Sequence, residues 1–189
     1  MYKRQPVNVT IDNLAFKFTG AHAIGVSGAT KFQVKNCVFS WLGGSLLSLD
    51  FFNSGNPVNY GNAIETGTCN GYYLDDNWMY QIYDTGVTHQ CSRGTGSRVQ
   101  KDVRYTGNLI EYVHWGIEFY NSPEGKTEND IRITDGVYDA YNICRFGGYG
   151  WGSIVRYRQT SAQLYCGSSL SDNENQLTEY NIFDRCAGN

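Results

Sequence analysis

The chain has 189 residues with 15 basic and 18 acidic side chains, a formal charge of −3, so it offers no attraction to a phosphate backbone or an anionic membrane surface, and neither nucleic acid nor a membrane is an expected partner. Its length allows a sizeable core, while 15% aromatic residues and 22 Gly favour short strands and turns over long helices. No apolar run approaches the ~20 residues of a spanning helix, and the six Cys, at 37, 69, 91, 144, 166 and 186, form no CxxC pair or Cys/His cluster with zinc spacing.

Met1 to Pro6 leads without an apolar leader run into a strand-like Val7-Asn8-Val9-Thr10-Ile11. Ile24 and Leu46, 22 residues apart, open the reading of a repeat in which an apolar run follows Asn and ends at a Gly, with a short apolar strand after that Gly. The unit recurs as Asn36-Cys37-Val38-Phe39 to Gly43, Asn77-Trp78-Met79-Tyr80 to Gly86-Val87-Thr88, and Asn108-Leu109-Ile110 to Gly116-Ile117-Glu118. Gly136-Val137-Tyr138 to Gly147 and Asn181-Ile182-Phe183 to Gly188 are weaker copies. Spacing from Ile64 to Val87 is 23, from Val87 to Ile117 is 30 and from Ile117 to Gly148 is 31. This predicts an all-β solenoid, a right-handed parallel β-helix of about six to seven coils, in one domain over 1–189. Leucine-rich repeats share the period but not the spacing of Leu. The longer copies place polar insertions at Cys91–Arg98 and Asn121–Asp130, and a further loop runs from Asp50 to Tyr60.

Four stretches, Val34-Lys35-Asn36-Cys37-Val38-Phe39, Tyr60-Gly61-Asn62-Ala63-Ile64-Glu65, Tyr83-Asp84-Thr85-Gly86-Val87-Thr88-His89-Gln90 and Asn108–Tyr112 with Gly116-Ile117-Glu118, resemble segments of the right-handed parallel β-helix proteins of the pectate-lyase-like superfamily. The resemblance covers roughly residues 7 to 150. It implies a bacterial carbohydrate-active protein, secreted or at the cell surface, with a polysaccharide or glycan as its partner. No family motif fixes the catalytic residues. Because a solenoid exposes strand edges at its ends, and Val7 enters the repeat at once while Asn181 to Asn189 stops within a copy, the expectation is a segment of a longer β-helix or a chain capped by a partner.

Alternation sets the faces. With Ile64, Val87 and Ile117 inward, Glu65, Thr88 and Glu118 point outward along one ladder, His89 points in, and Gln90 and Tyr120 point out. Glu65 and Glu118, two strand spacings apart, sit about 10 Å from each other at the backbone, near the ~6.5–9.5 Å carboxyl separation of inverting glycosidases. Exposed carboxylates on a solvated sheet are the ordinary alternative. Asp84, His114 and Arg145 each precede a Gly by two residues and are expected to stack as a charged column. The catalytic candidates are therefore Glu65, Asp84, Glu118 and His89, and the substrate-binding candidates are Thr88, Gln90, Trp115, Tyr120, Tyr149 and Trp151, whose rings offer a platform for sugars. Asp50 and Asp75-Asp76 carry the hard oxygens calcium takes, but such pairs are ordinary turn chemistry, and no metal or cofactor is expected. A lyase acting on a uronate polymer, drawing on Arg93, Arg98, Lys101 and Arg104, and a non-catalytic glycan-binding solenoid are the alternatives to a hydrolase. Cys37, Cys144 and Cys186 lie in apolar runs, where a thiol serves as a small core residue.

Overall fold

Three recurrent columns of left-handed residues organise the chain. The computed structural model describes residues 6–48, 58–91, 97–121, 129–155, 162–166 and 173–187. In chain order the strands are β1 (Val7–Asp12), β2 (Ala15–Lys17), β3 (Ile24–Ser27), β4 (Thr30–Lys35), β5 (Val38–Leu42), β6 (Ser45–Ser48), β7 (Val58–Tyr60), β8 (Ile64–Gly67), β9 (Asn70–Asp75), β10 (Trp78–Cys91), β11 (Arg98–Thr106), β12 (Leu109–Asn121), β13 (Arg132–Ala140) and β14 (Ile143–Arg145). A single helical turn, α1 (Trp151–Val155), precedes β15 (Ala162–Cys166), β16 (Asn173–Glu179) and β17 (Ile182–Asp184).

The chain is all-β and its main sheets are parallel. The first runs β1-β4-β9-β11-β13-β16. The second runs β2-β5-β10-β12-β14-β17, and the far halves of β10 and β12, beyond a bulge between Ile82 and Thr85, form a third ladder with β3, β8 and β15. Each strand therefore lies beside the strand one repeat later, as a β-helix requires. Only β6 and β7 pair antiparallel among the described residues.

The residues at positive φ, most of them not Gly, fall in columns. Midway along the first sheet, where register skips a residue, stand Asn8, Lys31, Gly71, Asp102, Gly136 and Asn175; at the turn into the second stand Asn13, Asn36, Asp76, Gly107, Tyr141 and Tyr180. Asn, Asp and Gly are the residues that adopt this conformation most readily, which explains much of the Asn and Gly content. After the second column comes a ladder of buried or half-buried amides. Asn77 Nδ2 donates to Asn108 Oδ1 (3.0 Å), Asn108 Nδ2 to Asn142 Oδ1 (2.9 Å) and Asn142 Nδ2 to Asn181 Oδ1 (3.1 Å). The same oxygens accept backbone N–H groups, and the same amides donate to the carbonyls of Val34, Leu74, Tyr105 and Asp139.

Between the sheets lies the core, in which Phe39, Met79 and Ile110 are stacked in one file and Ile64, Val87 and Ile117 in another. The expected alignment of Ile64, Val87 and Ile117 is present, and so is that of the runs after Asn77, Asn108 and Asn181, but Asn36, Leu46 and Gly148 need correction. Val38 pairs with Trp78, so Cys37 and not Asn36 occupies the amide-ladder position, and Asn36 sits beside Asp76 in the left-handed column. Ile24 pairs with Ile64, and Ile117 with Leu164, so Leu46 and Gly148 are out of phase. The reason is that the β6–β7 hairpin and α1 are inserted at the corner between the second and third ladders. Cys37, Cys69 and Cys144 are buried free thiols and Cys186 is a half-buried one. No helix is long and apolar enough to cross a membrane among the described residues.

Candidate functional site

The third ladder aligns Gly25, Glu65, Thr88, Glu118 and Tyr165 in one column on adjacent strands. Their neighbours Ile64, Val87 and Ile117 fill the core, so alternation turns the column to the other face of the sheet. The column is not the open surface the alternation alone suggested. Glu65 keeps 32% of its side-chain exposure, whereas Thr88 is buried and Glu118 is 6% exposed. Thr88 Oγ1 donates to Glu118 Oε2 at 2.7 Å, giving the enclosed carboxylate a partner.

Glu65 is held from the other side. Asn62, buried at 3% exposure, donates from Nδ2 to Glu65 Oε2 (2.7 Å) and from its backbone N to His22 Nδ1 (3.0 Å), while its Oδ1 accepts the Thr85 N–H (3.0 Å). Since His22 Nδ1 accepts, a neutral ring carries its proton on Nε2. That atom lies 3.4 Å from Glu65 Oε2. His22 and Asn62 are two residues before the paired Ile24 and Ile64. Aligning those two isoleucines finds them in the sequence; the 22-residue phase linking Ile24 to Leu46 hides them.

At the bulge, Tyr83 and Asp84 together face His114, because Ile82 pairs with Val113 but Thr85 with Trp115. His114 Nδ1 is 3.0 Å from Ser153 Oγ. The expected column of Asp84, His114 and Arg145 does not form. Arg145 pairs with Glu111 in register and bonds it at 2.6 Å, and Trp78 Nε1 donates to the other Glu111 oxygen at 2.8 Å. Trp151 donates its indole N–H to Gln81 O (3.0 Å) and rests on Tyr83, centroids 5.2 Å apart. Close fit fixes this corner: a Cβ on Gly44 would meet the Trp151 ring, and one on Gly152 the backbone of Tyr83.

Of the remaining candidates, His89 lies on the inner side of its strand. Its Nδ1 is 2.7 Å from the Tyr105 hydroxyl, its ring packs against Tyr105 and Phe119, and burial lowers its pKa to about 3. The sheet separates it from Thr88 and the two carboxylates, so it is a neutral core residue with no path to a substrate on that face. Trp115 is likewise enclosed, at 8% exposure, and is no open platform. Gln90 and Tyr120 are half-buried neighbours one position pair beyond Thr88 and Glu118, and Tyr149 is exposed. Asp75 is engaged by Arg104, Gln33 and Thr106 on the first sheet, which leaves its oxygens committed; Asp50 lies outside the described residues. No cluster of three or more His, Cys, Asp or Glu suited to a metal occurs among the described residues. Comparison with known proteins returned no match to any protein family, any curated protein or any solved structure.

Proposed function

We propose that the chain is a right-handed parallel β-helix of about six to seven coils that acts on a polysaccharide or complex glycan as a glycoside hydrolase, outside the cell or on its surface. The observation that carries the reading is the column in which Glu65 and Glu118 flank Thr88 on neighbouring strands. Two carboxyl groups across a glycosidic bond are what its hydrolysis needs, one to protonate the leaving oxygen and one to act as base or nucleophile. Glu118, enclosed and bonded to Thr88, is the general acid. Glu65, more open to water and oriented by Asn62 and His22, is the base, with Asp84 at the adjacent bulge as the other carboxylate in reach of the same face. Right-handedness follows from the strong preference of parallel crossovers.

Hydrolysis is favoured over elimination by the charge around the column. Removing a proton beside a uronate carboxylate calls for a cation to neutralise that carboxylate, and Gly25, Glu65, Thr88, Glu118 and Tyr165 supply none. Lys101 and Arg104 lie on the first sheet, where Arg104 is paired with Asp75; Arg93 lies outside the described residues.

A glycan screen tests the reading, followed both for new reducing ends and for absorbance of an unsaturated uronate. Reducing ends alone are the expected result, and both signals together would indicate a lyase. Glu118→Gln and Glu65→Gln should each lower turnover by about 10²-fold or more, with far-UV circular dichroism unchanged. Wild-type rates in both variants would remove the column from the mechanism.

A further inference from the structure

The outer face of the second ladder carries a feature the hydrolytic site does not use. Its third left-handed column is Phe18, Trp41, Gln81, Tyr112, Phe146 and Arg185, at φ between 52° and 58°. No Gly, Asn or Asp stands there, although those residues would relieve the backbone strain as they do at four of the six positions of the neighbouring column. Burial does not compensate, since Phe18 is 78% and Trp41 44% exposed. The rings continue from strand to strand: Trp41 meets Tyr80 at 6.0 Å, Tyr80 meets Tyr112 at 5.5 Å, and Tyr112 stacks on Phe146 at 4.7 Å and 17°. The Arg185 guanidinium closes the row 4.4 Å above Phe146.

Polar groups flank the rings. Lys17, Ser40, Tyr80, Glu111, Arg145 and Asp184 form the column one residue before. Lys17 and Ser40 join Phe18, Trp41, Trp78 and Tyr80 around a cavity of about 260 Å³. A second cavity, about 370 Å³, lies between Phe18, Trp41 and Trp151. Trp151 leans on Tyr83, the residue before Asp84, so the row of rings leads round the corner towards the carboxylate face.

We propose that this aromatic ribbon is a second glycan-binding surface, distinct from the Glu65–Glu118 column, which holds an extended pyranose chain and guides it past Trp151. Rings on successive strands, with Tyr80 standing in for Gln81 on β10, meet edge-to-face at Trp41–Tyr80 and Tyr80–Tyr112 and stack at Tyr112–Phe146, giving a continuous apolar strip for the C–H faces of successive sugars, and the adjacent column offers donors and acceptors for their hydroxyls. An apolar protein surface fits less well, because it would strip water from the Glu111–Arg145 pair. The proposal rests on the carbohydrate reading of the site, but it needs no catalysis.

Affinity electrophoresis through neutral and uronate polysaccharides tests it, using wild type, Glu118→Gln and a Trp41→Ala/Tyr112→Ala double variant, with Phe18→Ser as a second change, at an exposed position, should the double variant fail to fold. The expected result is equal retardation of wild type and Glu118→Gln by one polysaccharide, and about tenfold weaker binding of the ribbon variants. Their release of reducing ends from short oligosaccharides should stay at the wild-type rate. Equal retardation of ribbon variants and wild type would overturn the ribbon and leave the hydrolytic site standing. So would an absence of retardation in a protein that still cleaves oligosaccharides. Neither binding nor cleavage of any glycan would overturn both.

Discussion

Two buried titratable residues give the molecule opposed responses to pH. Burial holds the His89 pKa at about 3, below its ordinary 6.5, so protonation of the unfolded chain weakens the fold as pH falls from 6.5 towards 3. Asp139, buried beside the amide ladder and bonded to Asn142 Nδ2 (2.8 Å), has its pKa raised from 3.8 to about 6 by burial. For it the folded state retains the proton longer than the unfolded chain, so stability is present below 3.8 and is lost as pH rises through 6. Between about pH 4 and 6 the two slopes, each about 1.4 kcal/mol per pH unit, cancel. Asp75, whose carboxyl is lowered against its burial by bonds from Arg104, Thr106 and Gln33, and the exposed Asp12, lowered by its bond from Asn36 and by Lys35, add their effect only below that window. Urea titrations at pH 4, 5 and 6 should show a nearly flat wild type, a His89→Gln variant that loses stability with rising pH, and an Asp139→Asn variant that gains it. Parallel profiles for all three would reject the assignment.

At the scale of the elements, the turn between first and second sheets depends on the amide ladder more than on any strand. Asn108 accepts from Asn77 and donates to Leu74 O and Asn142, all buried. Asn108→Ala leaves these groups without partners and should lower stability by about 3 kcal/mol, since each abandoned buried group costs about 1–3 kcal/mol. Asn181→Ala, at the half-buried end of the ladder, should cost less; equal losses in chemical denaturation would contradict the ladder's graded burial. Much of this turn was legible in the sequence, because Asn77, Asn108 and Asn181 recur before apolar runs. Asn36 misled by one residue: it is an Asn chosen for a left-handed φ of 52°, not for an amide ladder, and the two uses of Asn look alike in one dimension.

Across the whole molecule, contacts join residues a full repeat apart. Ile64 meets Val87 after 23 residues and Ile117 meets Leu164 after 47. Parallel pairing at such separations must close long loops before any contact forms, so refolding followed by tryptophan fluorescence should take about milliseconds to seconds or longer; microsecond refolding would be incompatible with this topology. The sequence by itself determined the all-β character, the strands around Ile64, Val87 and Ile117, and the alignment of Glu65, Thr88 and Glu118, since a period of two within strands and a recurring Asn–Gly phase are local properties. Tertiary structure alone decided that Thr88 and Glu118 are enclosed, that His22 and Asn62 both reach Glu65, that Arg145 answers Glu111, and that rings from Trp41 to Phe146 form one ribbon. Those relations depend on register between strands separated by inserted hairpins and turns of unequal length, and a single sequence carries no measure of where such insertions return the chain to phase.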